Sequence, residues 1–274
     1  MMNAVTEHTT HDDSGTGGST DKRTLRRATI ARRKQVPADE RARAGEQLAQ
    51  AAAAITNGLT PGATVAAYVS MGSEIPTAPL LRWLLDAGYR VIVPKLGRGL
   101  DVGWGALTSL DELHAVTLDG NAAASSGPAH VDSTAHVGDP AHVGSTAAVP
   151  ADRTSAPYRS SLQRPSSRRP QEPTDAATLG MDALRDAALI ILPALLVDRT
   201  GTRLGRGGGW YDRALEHRRP DARTVAVCWP WEISDAPLPR EPHDVPVDAI
   251  LTPDGMVATN GTATTAERGG RSTD

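Results

Sequence analysis

Short apolar runs alternate with segments of helical periodicity along most of the chain. Uninterrupted apolar runs of this length are typical of strands buried on both faces. Strands separated by helices indicate an α/β protein with a mostly parallel sheet. The predicted strands are 63–69, 89–94, 188–192, 224–229 and 249–252.

Helices are predicted before and between these strands, at 21–35, 37–55, 77–87 and 210–218. Thr20 is a suitable N-cap for the first helix, because its hydroxyl can accept a bond from a free backbone N–H. Pro37 can open the second helix, where its missing N–H costs nothing. Gly88 ends the third helix.

Changes in composition predict the organisation of the chain. One α/β catalytic domain is expected from 21–117 and 172–257. Residues 1–20, rich in Thr, His, Asp and Gly, predict a disordered leader, and residues 258–274 a flexible tail. Residues 118–171 are rich in Ala, Ser, Pro, Gly and Arg and predict a disordered low-complexity insertion.

The insertion contains three related six-residue segments, AHVDST, AHVGDP and AHVGST, which place His130, His136 and His142 at equal spacing. A metal-binding histidine array and a short left-handed β-helix are two alternatives. Three repeats are too few to stack a core, and the flanks are rich in Pro, Ser and Arg. The disordered insertion is therefore favoured, and the chemistry is expected to survive its removal.

Composition narrows the class of protein. Hydrophobic residues make up 39% of the chain, Phe is absent and the net charge is −3, so no overall attraction to nucleic acid or an anionic membrane is expected. The single cysteine, Cys228, excludes an internal disulfide and a cysteine-based zinc cluster. No apolar stretch approaches the roughly 20 residues that span a bilayer, and residues 1–20 lack the apolar run of a secretory signal. A cytoplasmic enzyme is expected.

The segment 203–213, RLGRGGGWYDR, carries the clearest chemical signal. Its glycines allow backbone angles at which successive N–H groups converge on an anion. Arg203 and Arg206 add forked donors for phosphate or carboxylate. The following helix start also favours negative charge, and Asp212 would sit where a Mg²⁺ ligand is useful. The alternative is a flexible glycine-rich turn with a surface aspartate.

Two common nucleotide motifs are absent from this segment. It contains no G-x-x-x-x-G-K-[ST], so it is not a Walker-type phosphate loop. The dinucleotide fingerprint G-x-G-x-x-G also fails, because counting from Gly205 and Gly207 places Trp210 at the third glycine. An ordinary Rossmann dehydrogenase is a poor fit.

The segment resembles the signature of 5-formyltetrahydrofolate cyclo-ligases, which usually reads RLG-x-G-x-G-YYDR. Three further segments resemble that family in the same order: 22–26 (KRTLR), 69–77 (VSMGSEIPT) and 243–248 (HDVPVD). The resemblance covers about residues 21–254. It implies a three-layer α/β/α fold with a mostly parallel sheet, similar to sugar-phosphate isomerases and CoA transferases.

The resemblance also implies the activity: the conversion of 5-formyltetrahydrofolate to 5,10-methenyltetrahydrofolate, which depends on ATP and Mg²⁺ as cofactors and releases ADP and phosphate. Asp212 and Asp244 are the implied Mg²⁺ ligands, and Arg206 and Tyr211 the catalytic residues. The implied ATP-binding residues are Lys22, Arg23, Arg26, Arg203, Leu204, Gly205, Arg206, Gly207, Gly208, Gly209, Trp210 and Tyr211. The implied folate-binding residues are Val69, Glu74, Arg206, Gly207, Gly208, Gly209 and Trp210.

For some of these residues, an alternative interpretation stays open. Glu74 could instead cap the helix that begins near Thr77, and Lys22 and Arg26, four positions apart, could form a solvated basic face. Trp210 stands where the family usually has Tyr, so the phenolic OH is replaced by an indole N–H. The segment 229–233, WPWEI, also departs from the family pattern and is left unassigned.

Two rival functions remain at this level. A sugar-phosphate or CoA-ester enzyme would use the glycine loop without hydrolysing ATP, but would not require the Lys22/Arg26 and Asp212/Asp244 sites. A non-enzymatic folate-binding protein is favoured only by Trp210 and WPWEI. The expected partner is the small folate substrate, either with or without a polyglutamate tail. A monomer is expected, with neither nucleic acid nor membrane as a partner.

Overall fold

A seven-stranded sheet runs through the centre of the fold. The computed structural model describes residues 17–95, 103–115, 170–173 and 176–260. In chain order the strands are β1 (Thr64–Ala66), β2 (Arg90–Lys95), β3 (Gly103–Leu107), β4 (Leu113–Ala115), β5 (Gln171–Pro173), β6 (Ala187–Pro193), β7 (Leu196–Asp198), β8 (Arg203–Leu204), β9 (Arg223–Val227), β10 (Ile233–Ser234), β11 (Ala249–Thr252) and β12 (Gly255–Ala258). The helices are α1 (Gly17–Arg33), α2 (Ala38–Gln50), α3 (Ala52–Thr56), α4 (Ala78–Asp86) and α5 (Trp210–Leu215).

The strand order of this sheet is β12-β11-β9-β6-β1-β2-β3. The pairs β2–β1, β1–β6, β6–β9 and β9–β11 are parallel. The edge strands β3 and β12 pair antiparallel with their neighbours. The mostly parallel α/β sheet predicted from the sequence is therefore confirmed.

Two core layers lie on opposite faces of the sheet, because successive side chains of a strand point to opposite sides. Val65 and Leu189 belong to the layer that includes the buried leucines of α2 and α4. Their chain neighbours Ala66 and Ile190 belong to the other layer, with Leu215 of α5. Helices thus cover both faces of the sheet, which gives the expected three layers.

Three helix predictions are corrected in detail. Helix α1 begins at Gly17, so Thr20 lies inside its first turn and is not its N-cap. The helix predicted at 37–55 is interrupted at Ala51, which ends α2 and precedes α3. The helix predicted at 210–218 ends earlier, because α5 stops at Leu215 and the following residues form turns.

The sequence analysis missed several strands, all of them short or rich in glycine. Strand β3 has the sequence GWGAL, in which two glycines mask the strand pattern. Strands β10, β7 and β8 form a small three-stranded sheet, and β4 and β5 form a hairpin-like pair. Each has two or three residues, too few to show a period.

The predicted leader, insertion and tail fall largely outside the described residues, so their disorder stays a prediction. The fold does extend past the domain boundaries expected at 172 and 257. Strand β5 begins at Gln171 and pairs with β4. At the other end, the Thr259 hydroxyl donates to the carbonyl of Val247 at 2.9 Å, and the N–H of Asn260 donates to the carbonyl of Arg199 at 2.8 Å.

Cys228 is buried in the core, as its apolar surroundings predict, and burial raises the pKa of its thiol. Among the residues that the structure describes, no helix has the length and apolar character needed to cross a membrane.

Candidate active site

A cavity of about 550 Å³ opens where the parallel strands β1 and β6 end. Tyr68 and Val69 follow β1, and Ala194 and Leu195 follow β6; all four line the cavity. The carboxyl edge of a parallel sheet is where open α/β folds bind ligands. The remaining walls come from α1, from the loop between β8 and α5, and from residues 241–244.

The loop 205–209 between β8 and α5 forms one wall. Gly207 has φ +100° and Gly209 has φ +60°, a left-handed region that side chains other than glycine rarely enter. The Arg26 Nε donates to the carbonyl of Gly205 at 2.9 Å. A Cβ at Gly207 would lie 3.3 Å from the Arg26 guanidinium carbon. Helix α1 and the loop are therefore in close contact through Arg26.

Arg203 and Asp212 pair beside this loop. The Arg203 Nη2 donates to Asp212 Oδ1 at 2.8 Å, and the guanidinium carbon lies 5.7 Å from the centre of the Tyr211 ring. The buried Nε of Arg203 has no hydrogen-bond partner within the described part of the chain. A buried donor left unpaired is costly, so a ligand acceptor at this position would be favourable.

Lys22 joins helix α1 to the segment before β11. Its ammonium group donates to Glu241 Oε1 at 2.9 Å and to Asp244 Oδ2 at 3.0 Å. Burial would raise the pKa of Asp244, but the backbone N–H of Glu241 and the Lys22 charge together lower it. Burial would lower the pKa of Lys22, and its two acidic partners raise it instead. Both groups are therefore charged at neutral pH.

The two candidate metal ligands, Asp212 and Asp244, line the same cavity. No group of three or more His, Cys, Asp or Glu residues that could hold a metal occurs among the described residues. Mg²⁺ commonly uses only one or two protein carboxylates and completes its shell with water and phosphate oxygens. The pair fits Mg²⁺ that is carried in with a nucleotide, rather than a metal held by the protein alone.

Glu74 and Arg206 connect the loop after β1 with the glycine loop. Arg206 Nε donates to Glu74 Oε1 at 3.1 Å, and the other carboxylate oxygen accepts from the N–H of Met71 at 2.9 Å. Glu74 does not cap α4. The N-cap of that helix is Thr77, whose hydroxyl donates to the carbonyl of Tyr68 at 2.9 Å. The alternative role considered for Glu74 is therefore wrong.

Two aromatic residues at the start of α5 also line the cavity. The rings of Trp210 and Tyr211 lie 4.6 Å apart in an edge-to-face arrangement, and Trp210 also contacts Trp104, with 5.2 Å between ring centres. Burial and the nearby Glu74 raise the pKa of Tyr211, so its hydroxyl stays protonated and can donate a hydrogen bond but cannot act as a base. The Trp210 Nε1 is buried without a partner in the described ranges.

The structure brings together most of the site residues predicted from the sequence. Those that line the cavity are Lys22, Arg26, Val69, Glu74, Arg203, Leu204, Gly205, Arg206, Gly207, Gly208, Gly209, Trp210, Tyr211, Asp212 and Asp244. Arg23 is the exception, since it is exposed on α1 and does not line the cavity. One residue from Lys22, its side chain leaves from a different face of the helix.

The sequence analysis missed other residues of the cavity wall, including Arg33, Tyr68 and Glu241. Arg33 Nε donates to Glu232 Oε1 at 2.5 Å, and Nη2 donates to Glu232 Oε2 at 2.6 Å. Glu232 lies in the WPWEI segment that was left unassigned. A signal for Arg33 did exist, because it lies seven positions after Arg26 and so falls on the same helical face.

Comparisons with known proteins agree on one family. A model of the 5-formyltetrahydrofolate cyclo-ligase family matches residues 18–133 and 150–253. The 5-formyltetrahydrofolate cyclo-ligase of Mycolicibacterium smegmatis is 34% identical over 244 residues, covering 86% of this chain and 96% of the relative.

Two solved structures share the fold. The 5,10-methenyltetrahydrofolate synthetase of Aquifex aeolicus superposes with a TM-score of 0.55 at 21% identity, covering 92% of this chain and 96% of that one. The 5,10-methenyltetrahydrofolate synthetase of Mycoplasma pneumoniae gives a TM-score of 0.52 at 14% identity, covering 85% of this chain and 99% of that one.

Proposed function

Because the chain belongs to the 5-formyltetrahydrofolate cyclo-ligase family, we propose that it converts 5-formyltetrahydrofolate to 5,10-methenyltetrahydrofolate in a reaction that requires ATP and Mg²⁺ and releases ADP and phosphate. One observation carries the proposal. Arg206 belongs to the glycine loop proposed to bind the phosphates, and it is hydrogen bonded to Glu74, the residue proposed to bind the folate. The sites for the two substrates thus meet at a single side chain.

The reaction joins two substrates through one atom, the formyl oxygen. That oxygen is a poor leaving group until the terminal phosphoryl group of ATP is transferred to it. N10 of the folate then attacks the formyl carbon, and the new C–N bond closes the ring. The carbon–oxygen bond breaks as phosphate leaves, and the proton of N10 leaves with the phosphate. Phosphoryl transfer depends mainly on positioning and on neutralising charge.

Cationic side chains around the glycine loop suit this task. Lys22, Arg26, Arg203 and Arg206 all line the cavity, and the loop N–H groups add further donors for phosphate oxygens. Arg206 is best placed to act on the transferred group, because it belongs to the glycine loop and its side chain extends to Glu74. Tyr211, kept neutral by burial, would donate a hydrogen bond. Arg23, exposed on α1, has no part in the proposal.

Asp212 and Asp244 would hold Mg²⁺ together with phosphate oxygens, and the ion would neutralise phosphate charge. Both carboxylates are ion-paired in the free protein, with Arg203 and Lys22 respectively. These are the same cations that would bind phosphate. Binding of MgATP would therefore exchange two internal ion pairs for four protein–ligand contacts.

The test is an assay of the purified full-length chain. Protein mixed with 5-formyltetrahydrofolate, ATP and Mg²⁺ should produce the near-ultraviolet absorbance of the methenyl product, together with one equivalent of phosphate. Omission of either ATP or Mg²⁺ should abolish the signal. Folate binding without turnover would indicate a non-enzymatic binding protein, and the absence of folate binding would overturn the proposal. A monomeric state and a cytoplasmic location stay predictions.

A further inference from the structure

Arg33 is a buried cation on the wall of the cavity that the proposed function leaves without a role. Only 2% of its surface is exposed, yet it lines the cavity. It extends from the same face of α1 as Lys22 and Arg26, at the end of the helix farthest from Lys22. Charged side chains are seldom buried to this degree unless they are paired.

The guanidinium group is held in one orientation by protein acceptors. Nε and Nη2 donate to the two carboxylate oxygens of Glu232, and Nη2 also donates to the carbonyl of Ala194. These contacts use three of its five N–H groups. None of the hydrogen bonds among the described residues involves Nη1. Nη1 is therefore the nitrogen left for a ligand in the cavity.

A carboxylate acceptor lines the same cavity as this donor. It belongs to Glu74, which is itself almost fully buried. Burial alone would lower the pKa of Arg33, but Glu232, Glu74 and Tyr68 together raise it. The cavity thus offers a ligand both a fixed donor and a carboxylate acceptor.

We propose that Arg33 determines specificity for the pterin of the folate, with Nη1 donating to the ring carbonyl oxygen next to the N–H groups that Glu74 accepts. The pterin edge presents one acceptor, the carbonyl oxygen, followed by two donors, the ring N–H and the amino group. A carboxylate matches the two donors, and a guanidinium beside it matches the acceptor. This inference rests on the proposed function, since it takes the ligand to be a folate.

Glu232 is a positioning residue in this arrangement. It is fully buried, and its Oε2 also accepts from the N–H of Trp229 at 2.9 Å. A carboxylate held by two partners fixes the plane of the guanidinium, and this plane determines the direction in which Nη1 donates. The pair also leaves the wall neutral, so a neutral pterin meets no unpaired buried charge.

The test compares two ligands that differ at the carbonyl position. They are 5-formyltetrahydrofolate and its 4-amino counterpart, in which an amino donor replaces the carbonyl oxygen and the adjacent ring nitrogen loses its hydrogen. Dissociation constants for both, and for ATP, are measured by calorimetry. The variant is the double substitution Arg33→Met and Glu232→Met, because replacing both partners of a buried ion pair by apolar residues preserves folding better than removing one. Arg32→Met, next door on α1 and exposed, is the matched control.

The wild-type chain and Arg32→Met should prefer the 4-oxo ligand. In the double variant the dissociation constant for that ligand should rise by about 10- to 100-fold, and ATP affinity should be unchanged. The preference should become smaller, because only the contact between the ring N–H and Glu74 would still distinguish the two ligands. An undiminished preference would overturn the inference, as would an equal loss of ATP and folate affinity, which would indicate that the pair only fastens α1. If the wild-type chain bound neither folate, the proposed function itself would fail.

Discussion

Arg206 joins two parts of the cavity wall, the glycine loop and the loop after β1. Its side chain is nearly half exposed, and its Nε donates to Glu74, which is buried. An arginine in that position can leave one partner for another at little cost, because its stem is flexible and its charge is partly solvated. The Glu74 contact positions the guanidinium beside the glycine loop before any ligand arrives.

Replacing Arg206 by alanine should therefore slow turnover strongly. We expect a loss of about 2–4 kcal/mol of transition-state stabilisation, as for one preorganised donor, or roughly 30- to 1,000-fold in kcat/KM. Steady-state kinetics with saturating ATP measures the effect. Arg219→Ala, which removes an exposed arginine paired with Asp221, is the control and should behave like wild type. A decrease of less than tenfold would contradict the role.

Asp212→Asn tests the metal site. The amide keeps the shape of the side chain but loses the charge that Mg²⁺ requires, so turnover should stay very low at every Mg²⁺ concentration. The initial rate is measured at increasing Mg²⁺ concentrations. If the substitution only weakened Mg²⁺ binding, excess metal would restore turnover. Near-normal turnover would remove Asp212 from the metal site. Asp182→Asn, an exposed carboxylate away from the cavity, should leave the titration unchanged.

At the level of elements, the β7–β8 hairpin positions the glycine loop. Asp198, buried at the end of β7, accepts hydrogen bonds from the N–H groups of Thr200, Thr202 and Leu238. Gly201, with φ +86°, lies in the turn against the backbone of Val247, where a Cβ would be 2.3 Å from a carbonyl oxygen. The hairpin thus has a tightly determined path, and Arg203 follows directly.

Asp198→Asn should destabilise the fold by about 2–3 kcal/mol at pH 7. In the variant an NH₂ group replaces one carboxylate oxygen, and a donor would then face a backbone N–H group that has lost its acceptor. Burial would raise the pKa of Asp198, but its N–H and hydroxyl donors hold it below the ordinary value. A depressed folded-state pKa contributes stability above the unfolded value of about 3.9, and this is lost as pH falls through the folded value.

The difference between wild type and Asp198→Asn should therefore shrink below about pH 4. Urea unfolding at pH 7 and at pH 3 measures it. Asp235→Asn, which removes a highly exposed partner of Arg199, should change stability by less than about 1 kcal/mol at either pH. A pH-independent difference would show that the charge of Asp198 is not what stabilises the hairpin.

For the whole molecule, the central sheet determines where the functional segments meet. Four loops from distant parts of the chain reach the same edge because β1, β6, β9 and β11 run parallel. The predicted insertion lies between β4 and β5 in the sequence. These two strands pair antiparallel, with Ala115 opposite Gln171. The two ends of that segment are therefore neighbours, and the connection between them can be short.

Deletion of residues 120–166 should preserve the melting temperature and the activity. It leaves four residues after Ala115 and three before Pro170, enough for a hairpin connection. A longer deletion, 120–173, also removes β5 and two residues that line the cavity, Pro170 and Gln171, and should lose both properties. If the shorter deletion unfolded the protein, the insertion would be part of the core.

Sequence alone determined those features that depend on neighbouring positions. Apolar runs located all five parallel strands, because a strand buried on both faces consists mostly of apolar residues. The run of glycines marked the loop 205–209, in which Gly207 and Gly209 do adopt backbone angles that other residues avoid. Spacing of four placed Lys22 and Arg26 on one helical face, and both do line the cavity.

Tertiary structure alone decided the pairing of charges. Lys22 meets Asp244 across 222 positions, Arg33 meets Glu232 across 199, and Arg206 meets Glu74 across 132. No local pattern identifies the partner of any of these side chains, because each partner comes from a distant part of the chain. Arg23 differs from Lys22 by one position, yet only Lys22 faces the cavity. The order of parallel strands, which long-range packing sets, brings these partners together.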